Sequence, residues 1–141
     1  MVSIKSLAVT ALAAVLPLAS ASPTIYSISA PASAAAGSTI SVTLNTSIYI
    51  QNWEDFSIIW GLNAPNVGIE DQYEVYIGQQ IGYTNLYGTT IEQLNSFTVD
   101  VTIPASQPAG KWNLVAAVPY LVGASGSTDV HAFNSTINIT A

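Results

Sequence analysis

Cysteine is absent from the 141 residues, and positive charge is almost absent. Without Cys there is no disulfide scaffold, no thiolate zinc site and no cysteine nucleophile. Lys5 and Lys111 are the whole basic complement, set against eight acids. Two lysines cannot build the patch that neutralises phosphates, so no nucleic-acid partner is expected. Charged residues make up 7% of the chain, where a typical globular domain has roughly a quarter. Disorder does not follow, because half of the residues are hydrophobic, enough to offset the entropy of ordering. The length suits one domain. No internal repeat is evident, and the Ala-rich stretch 30–36 is too short to link domains.

The first 21 residues read as an address. Lys5 makes a short positive region, Leu7 to Leu18 an apolar run, and Ala19-Ser20-Ala21 a small-residue cleavage site. Together they form a secretory signal peptide cleaved after Ala21. The run is shorter than the ~20 residues a membrane span needs. The end of the chain, Asn138 to Ala141, lacks the hydrophobic tail of a lipid-anchor signal. The expectation is an extracellular protein with no stable membrane anchor and one domain over residues 22–141. Three sequons, at Asn45, Asn134 and Asn138, are then candidate N-glycosylation sites.

Period-2 apolar alternation dominates the mature chain. Ile40, Val42, Leu44, Ile48 and Ile50 share one parity. Phe97, Val99, Val101 and Ile103 alternate with Thr98, Asp100 and Thr102, and Trp112, Leu114, Ala116 and Val118 line one face of another strand. Phe133, Ile137 and Ile139 oppose Asn134, Thr136 and Asn138, so all three sequon asparagines fall on polar faces. Turn-rich stretches at 31–37, 63–68, 104–110 and 123–127 separate these runs. Thr89-x-x-Glu92 is a candidate cap for one short helical turn. The pattern predicts an all-β fold, an immunoglobulin-like antiparallel β-sandwich of about seven strands, at 24–30, 38–50, 55–61, 73–78, 96–103, 111–119 and 130–140.

Candidate chemistry is sparse. Asp129 and His131 share a strand face about 7 Å apart, too far for a direct hydrogen bond without help from the rotamers. No nucleophile elbow accompanies them, so His131 reads as a surface residue near a strand start. Five of the eight acids, Glu54, Asp55, Glu70, Asp71 and Glu74, lie within 21 residues. Their plainest role is as solvated loop acids. Calcium chelation and glycoside hydrolysis are the alternatives, and neither has a fitting ligand or motif spacing. Eight of the 13 aromatics fall between Tyr49 and Tyr87. Phe56 and Trp60 share parity with Ile58 and Leu62 and read as core, whereas Tyr76 falls on the opposite parity from Val75 and Ile77. The candidate partner surface is therefore Trp53, Glu54, Asp55, Glu70, Asp71, Glu74, Tyr76, Tyr83 and Tyr87. No catalytic residue, cofactor or metal site is assigned.

Four segments carry a family likeness: Ala34 to Ile40 (AAAGSTI), Tyr49-Ile50-Gln51-Asn52, Val101 to Ala105 with Ala109-Gly110-Lys111, and Tyr120 to Ala124. In order and spacing they resemble the necrosis-inducing secreted protein family of fungal effectors, over nearly all of residues 24–140. The resemblance implies a binding protein rather than an enzyme. It implies suppression of plant pattern-triggered immunity through host receptor-associated kinases, induction of cell death, and translocation into host cells. It offers no catalytic residues to carry over. The chain departs from the family in its shortage of basic residues and its acidic 70–74 stretch, both of which bear on partner choice. The start of the mature chain, Ile28 to Ile40, also resembles fungal wall domains, so a carbohydrate-binding or structural wall module is the alternative.

Overall fold

The computed structural model describes residues 22–69, 74–89 and 95–141. The expected leader with its cleavage residue Ala21, the acids Glu70 and Asp71, Tyr73, and the stretch holding Glu92 lie outside the described residues.

Nine strands are described, in two sheets. The first sheet orders β1 (Ser22–Ser29), β3 (Thr39–Tyr49) and β7 (Asn95–Thr102) side by side. The second runs β2 (Ser33–Ala35), β9 (Ser127–Thr140), β8 (Gly110–Val122), β5 (Ser57–Asn63) and β6 (Gln79–Asn85). The short β4 (Trp53–Asp55) also pairs with β8. Pairing is antiparallel except between β2 and β9.

Alternation along the strands builds the sandwich. Ile25, Ile28, Ile40, Val42, Leu44, Phe97 and Val101 face Ile58, Trp60, Leu62, Leu114, Ala116, Val118, Ile137 and Ile139 in one buried cluster. Each Leu or Ile so enclosed contributes about 1.5–3 kcal/mol. No disulfide assists it. Trp60 satisfies its indole N–H on Thr84 Oγ1 at 3.0 Å. On the outside of the first sheet, cross-strand polar pairs take over: Thr39 with Thr102 at 3.0 Å and Ser41 donating to Asp100 at 2.6 Å.

Three expectations are corrected here. The count is nine strands among the described residues, not seven, because β2 and β4 are three-residue strands too short for periodicity to register. The strand expected at 73–78 lies instead at Gln79–Asn85, with only an isolated bridge at Val75 before it. Gly78, at φ +69°, turns the chain directly over the Leu62 carbonyl, where a Cβ would come within 2.2 Å, and regular pairing starts beyond it. Ile48 and Ile50, grouped with the inward residues of β3, are 54% and 81% exposed. Burial on their parity stops at Thr46; beyond it Ile48 pairs with Pro23 and is left open to solvent.

Candidate functional site

The end of the sandwich where β3 becomes exposed is also where β4 sits. Trp53, Glu54 and Asp55 pair with Val122, Leu121 and Tyr120 at the end of β8. Alternation turns Trp53 and Asp55 inward and leaves Glu54 outside. The turn before β4 is held by the Gly123 N–H, which donates to the Asn52 carbonyl at 2.9 Å.

Asp55 is the key to this end. Its carboxylate is 2% exposed. Oδ2 accepts the Ile25 N–H at 2.9 Å and Oδ1 accepts the Trp53 indole N–H at 2.7 Å. Ile25 sits at a break in the β1–β3 register, so the carboxylate ties an irregular edge strand of one sheet to the other sheet. Burial raises the Asp55 pKa, while the two hydrogen bonds and the His131 charge pull against that rise. The expectation that Trp53 and Asp55 offer contact surface is therefore narrowed: Asp55 is buried, Trp53 is buried but for the edge that lines the cleft described below, and Glu54 is exposed. A carboxylate with two buried donors in reach is held inside by them.

Aromatic rings pack around this carboxylate. Trp53 stacks on Tyr120 with centroids 4.3 Å apart and planes 6° from parallel. Tyr49 lies against Trp53 at 4.8 Å, and His131 against Tyr120 at 4.3 Å and Phe133 at 6.0 Å. His131 is thus a half-buried member of the cluster rather than a surface residue, because the β8–β9 register sets it opposite Val118, two residue pairs in from Tyr120. Asp129 does not orient it; that carboxylate accepts the neighbouring Val130 N–H at 2.8 Å. Burial, then the Asp129 and Tyr49 charges, raise the Tyr120 pKa. The register brought Tyr120, His131 and Phe133 here, and parity along β8 and β9 was the one sequence signal for them.

Beside the cluster, a cleft of about 480 Å³ opens between the sheets, lined by Ser22, Pro23, Asn52, Trp53, Glu54 and Leu121. The other candidate residues do not join it. Glu74 accepts the Tyr76 hydroxyl at 2.7 Å in the segment before β6. Tyr83 pairs across from Ile59 and Tyr87 leans on Phe56 at 5.8 Å; both tyrosines are exposed. Phe56, expected in the core, is only half-buried. The single acidic, aromatic region read from the sequence is thus several places. Among the described residues no three His, Asp or Glu side chains gather as a metal site. Asn134 and Asn138 are exposed on β9, whereas Asn45 is half-buried and donates to Ser27 Oγ at 3.0 Å.

Known proteins resemble this chain over most of its length. Necrosis-inducing secreted protein 1 of Colletotrichum higginsianum is 29% identical over 115 residues, covering 82% of this chain and 77% of that protein. The protein of the same name from Colletotrichum orbiculare is 33% identical over 131 residues, covering 92% and 78%. Both names describe secreted proteins, which agrees with the extracellular location expected from the leader. The Nis1 family model matches residues 21–138, nearly the whole span of the two sheets, and the chain belongs to that family.

Proposed function

We propose that this chain is a secreted fungal effector that works by binding a host protein, with the open end of the sandwich as its contact surface. One observation carries the reading. A cleft of about 480 Å³ lies at this end, and Ile48, paired with its lining residue Pro23, and Ile50 both stand exposed. Exposed apolar side chains around a concave site mark a recognition surface more than a catalytic one. The family resemblance supplies the target class: receptor-associated kinases of a plant host, whose engagement would blunt pattern-triggered immunity and provoke cell death.

The test is a binding measurement with the purified chain and the cytoplasmic domain of such a kinase. Binding at micromolar concentration or tighter, reduced by the Ile50→Asp change, is expected. Absence of binding, or binding indifferent to every substitution at this end, removes the reading.

A further inference from the structure

We infer that the cleft at the mouth of the sandwich receives a lysine or arginine side chain of the partner protein. The inference rests on the reading of this end as the contact surface, and it adds the chemistry of what enters.

The lining has two characters. Pro23, Leu121 and the rim of Trp53 are apolar, while Asn52 and Glu54 are polar. Glu54 is exposed and has no hydrogen-bond or ion-pair partner among the described residues. A long aliphatic stem that ends in a cation matches such a site, with the stem on the apolar wall and the head on the carboxylate.

The charge around the cleft has one sign. Glu54 and Asp129 are exposed at this end, and Asp55 lies behind Trp53. Lys111, the sole basic residue beyond the leader, is ten residues from Leu121 along β8, or about 33 Å at the rise of a strand. His131, the one imidazole in the chain, is packed between Tyr120 and Phe133. The exposed side chains that carry charge around the cleft are therefore acidic, and they attract an approaching cation.

Other occupants fit less well. A phosphorylated segment would meet like charge. A second copy docked by two-fold symmetry would set Glu54 and Asp129 against themselves. A wholly apolar segment would bury the Glu54 carboxylate without a partner, at a cost that exceeds the apolar gain. Leader removal after Ala21 would set the chain's own α-ammonium on Ser22 at the same rim. A carboxylate offers about four acceptor positions, so Glu54 can serve both cations.

The experiment is an amide-shift titration of the leader-free chain at pH 7.5 with a capped tetralysine peptide. The same peptide with every lysine acetylated is the comparison. Saturable shifts confined to residues 52–54 and 121 are expected. Glu54→Gln should weaken binding about fivefold, the scale of an exposed ion pair, and Asp100→Asn on the far sheet should change it less than about twofold. Unchanged near-ultraviolet dichroism will show that the Glu54 variant is folded. Shifts spread over Glu74, Asp100 and Asp129 alike, equal losses in both variants, or equal binding of the acetylated peptide overturn the inference. Kinase binding that Ile50→Asp abolishes and Glu54→Gln leaves intact removes the cation while keeping the contact surface. Kinase binding that neither change affects removes both.

Discussion

The indole N–H of Trp53 donates to Asp55 Oδ1 at 2.7 Å, two residues along the same three-residue strand. The other oxygen of that carboxylate holds the Ile25 amide at 2.9 Å. One acid therefore satisfies two buried donors, one from each sheet. Asp55→Ala leaves both without an acceptor, and each orphaned donor costs about 1–3 kcal/mol. The expected loss is about 2–5 kcal/mol, read as a lower urea midpoint with the slope unchanged. Asp55→Asn keeps one acceptor and presents an amide donor to the other N–H, so its loss should be smaller. Equal midpoints for Asp55→Ala and the parent chain would remove the tie between the sheets.

The same carboxylate sets a pH dependence. Burial raises the Asp55 pKa in the folded chain above its unfolded value. The fold thus favours the protonated form relative to the unfolded chain. The contribution of Asp55 is fully present below the unfolded pKa of about 3.9 and is lost as pH rises through the folded pKa. Thermal midpoints of the parent chain and Asp55→Asn, compared from pH 4 upward, should show the parent losing ground as pH rises through that window. A parent chain that gains relative to the variant over that range contradicts the assignment.

Much of the core was readable because inward parity needs only the strand's own residues. Ile40, Val42 and Leu44, and Leu114, Ala116 and Val118, are buried as their alternation requires. Ile48 and Ile50 continue the same alternation, yet parity says nothing about how far the opposite sheet extends. Asp55 looked like one of five solvated acids, since its partner amide is 30 residues earlier at a register break. β6 was misplaced because Gln79-Gln80-Ile81-Gly82-Tyr83-Thr84-Asn85 has little apolar pattern; its pairing with β5 defines it.

Gly61 carries a steric prediction. A Cβ there would lie 2.1 Å from the Ile77 carbonyl oxygen and 2.7 Å from the Ile77 side chain. The segment before β6 rests on the bare backbone of β5 and is further held by Asn63, whose amide donates to the Tyr76 carbonyl at 3.1 Å. Gly61→Ala must displace that segment, at about 1–3 kcal/mol for overpacking. Hydrogen exchange should quicken at residues 74–78 while β3 stays protected. Unchanged exchange there would show that the contact yields without cost.

Glycans should report on the two outer faces differently. Asn134 and Asn138 are exposed on β9, about 13 Å apart along the strand. Expressed through a eukaryotic secretory route, the chain should lose mass on enzymatic deglycosylation, with conversion to aspartate at these two positions. Gln at both should leave the thermal midpoint of the deglycosylated chain unchanged. Gln at Asn45 also breaks the bond to Ser27, which is worth about 0.5–1.5 kcal/mol. A chain secreted without any mass change on deglycosylation removes the glycan assignment.

Ile50 separates the contact surface from the fold. It is 81% exposed, so Ile50→Asp should shift stability by no more than about 0.5 kcal/mol. Leu44, six residues earlier on the same parity, is fully enclosed in the core, and Leu44→Ala should cost about 2–5 kcal/mol. The two variants therefore divide the possible causes of lost activity in leaf tissue. If cell death depends on docking through the open end, Ile50→Asp abolishes it at an unchanged urea midpoint. Leu44→Ala then weakens it only as far as the folded fraction falls, and its residual activity returns when measured at a lower temperature. An Ile50→Asp chain that is folded, secreted and as active as its parent places the contact surface elsewhere on the sandwich. The exposed Tyr83 and Tyr87 at β6 would then be the next surface to alter.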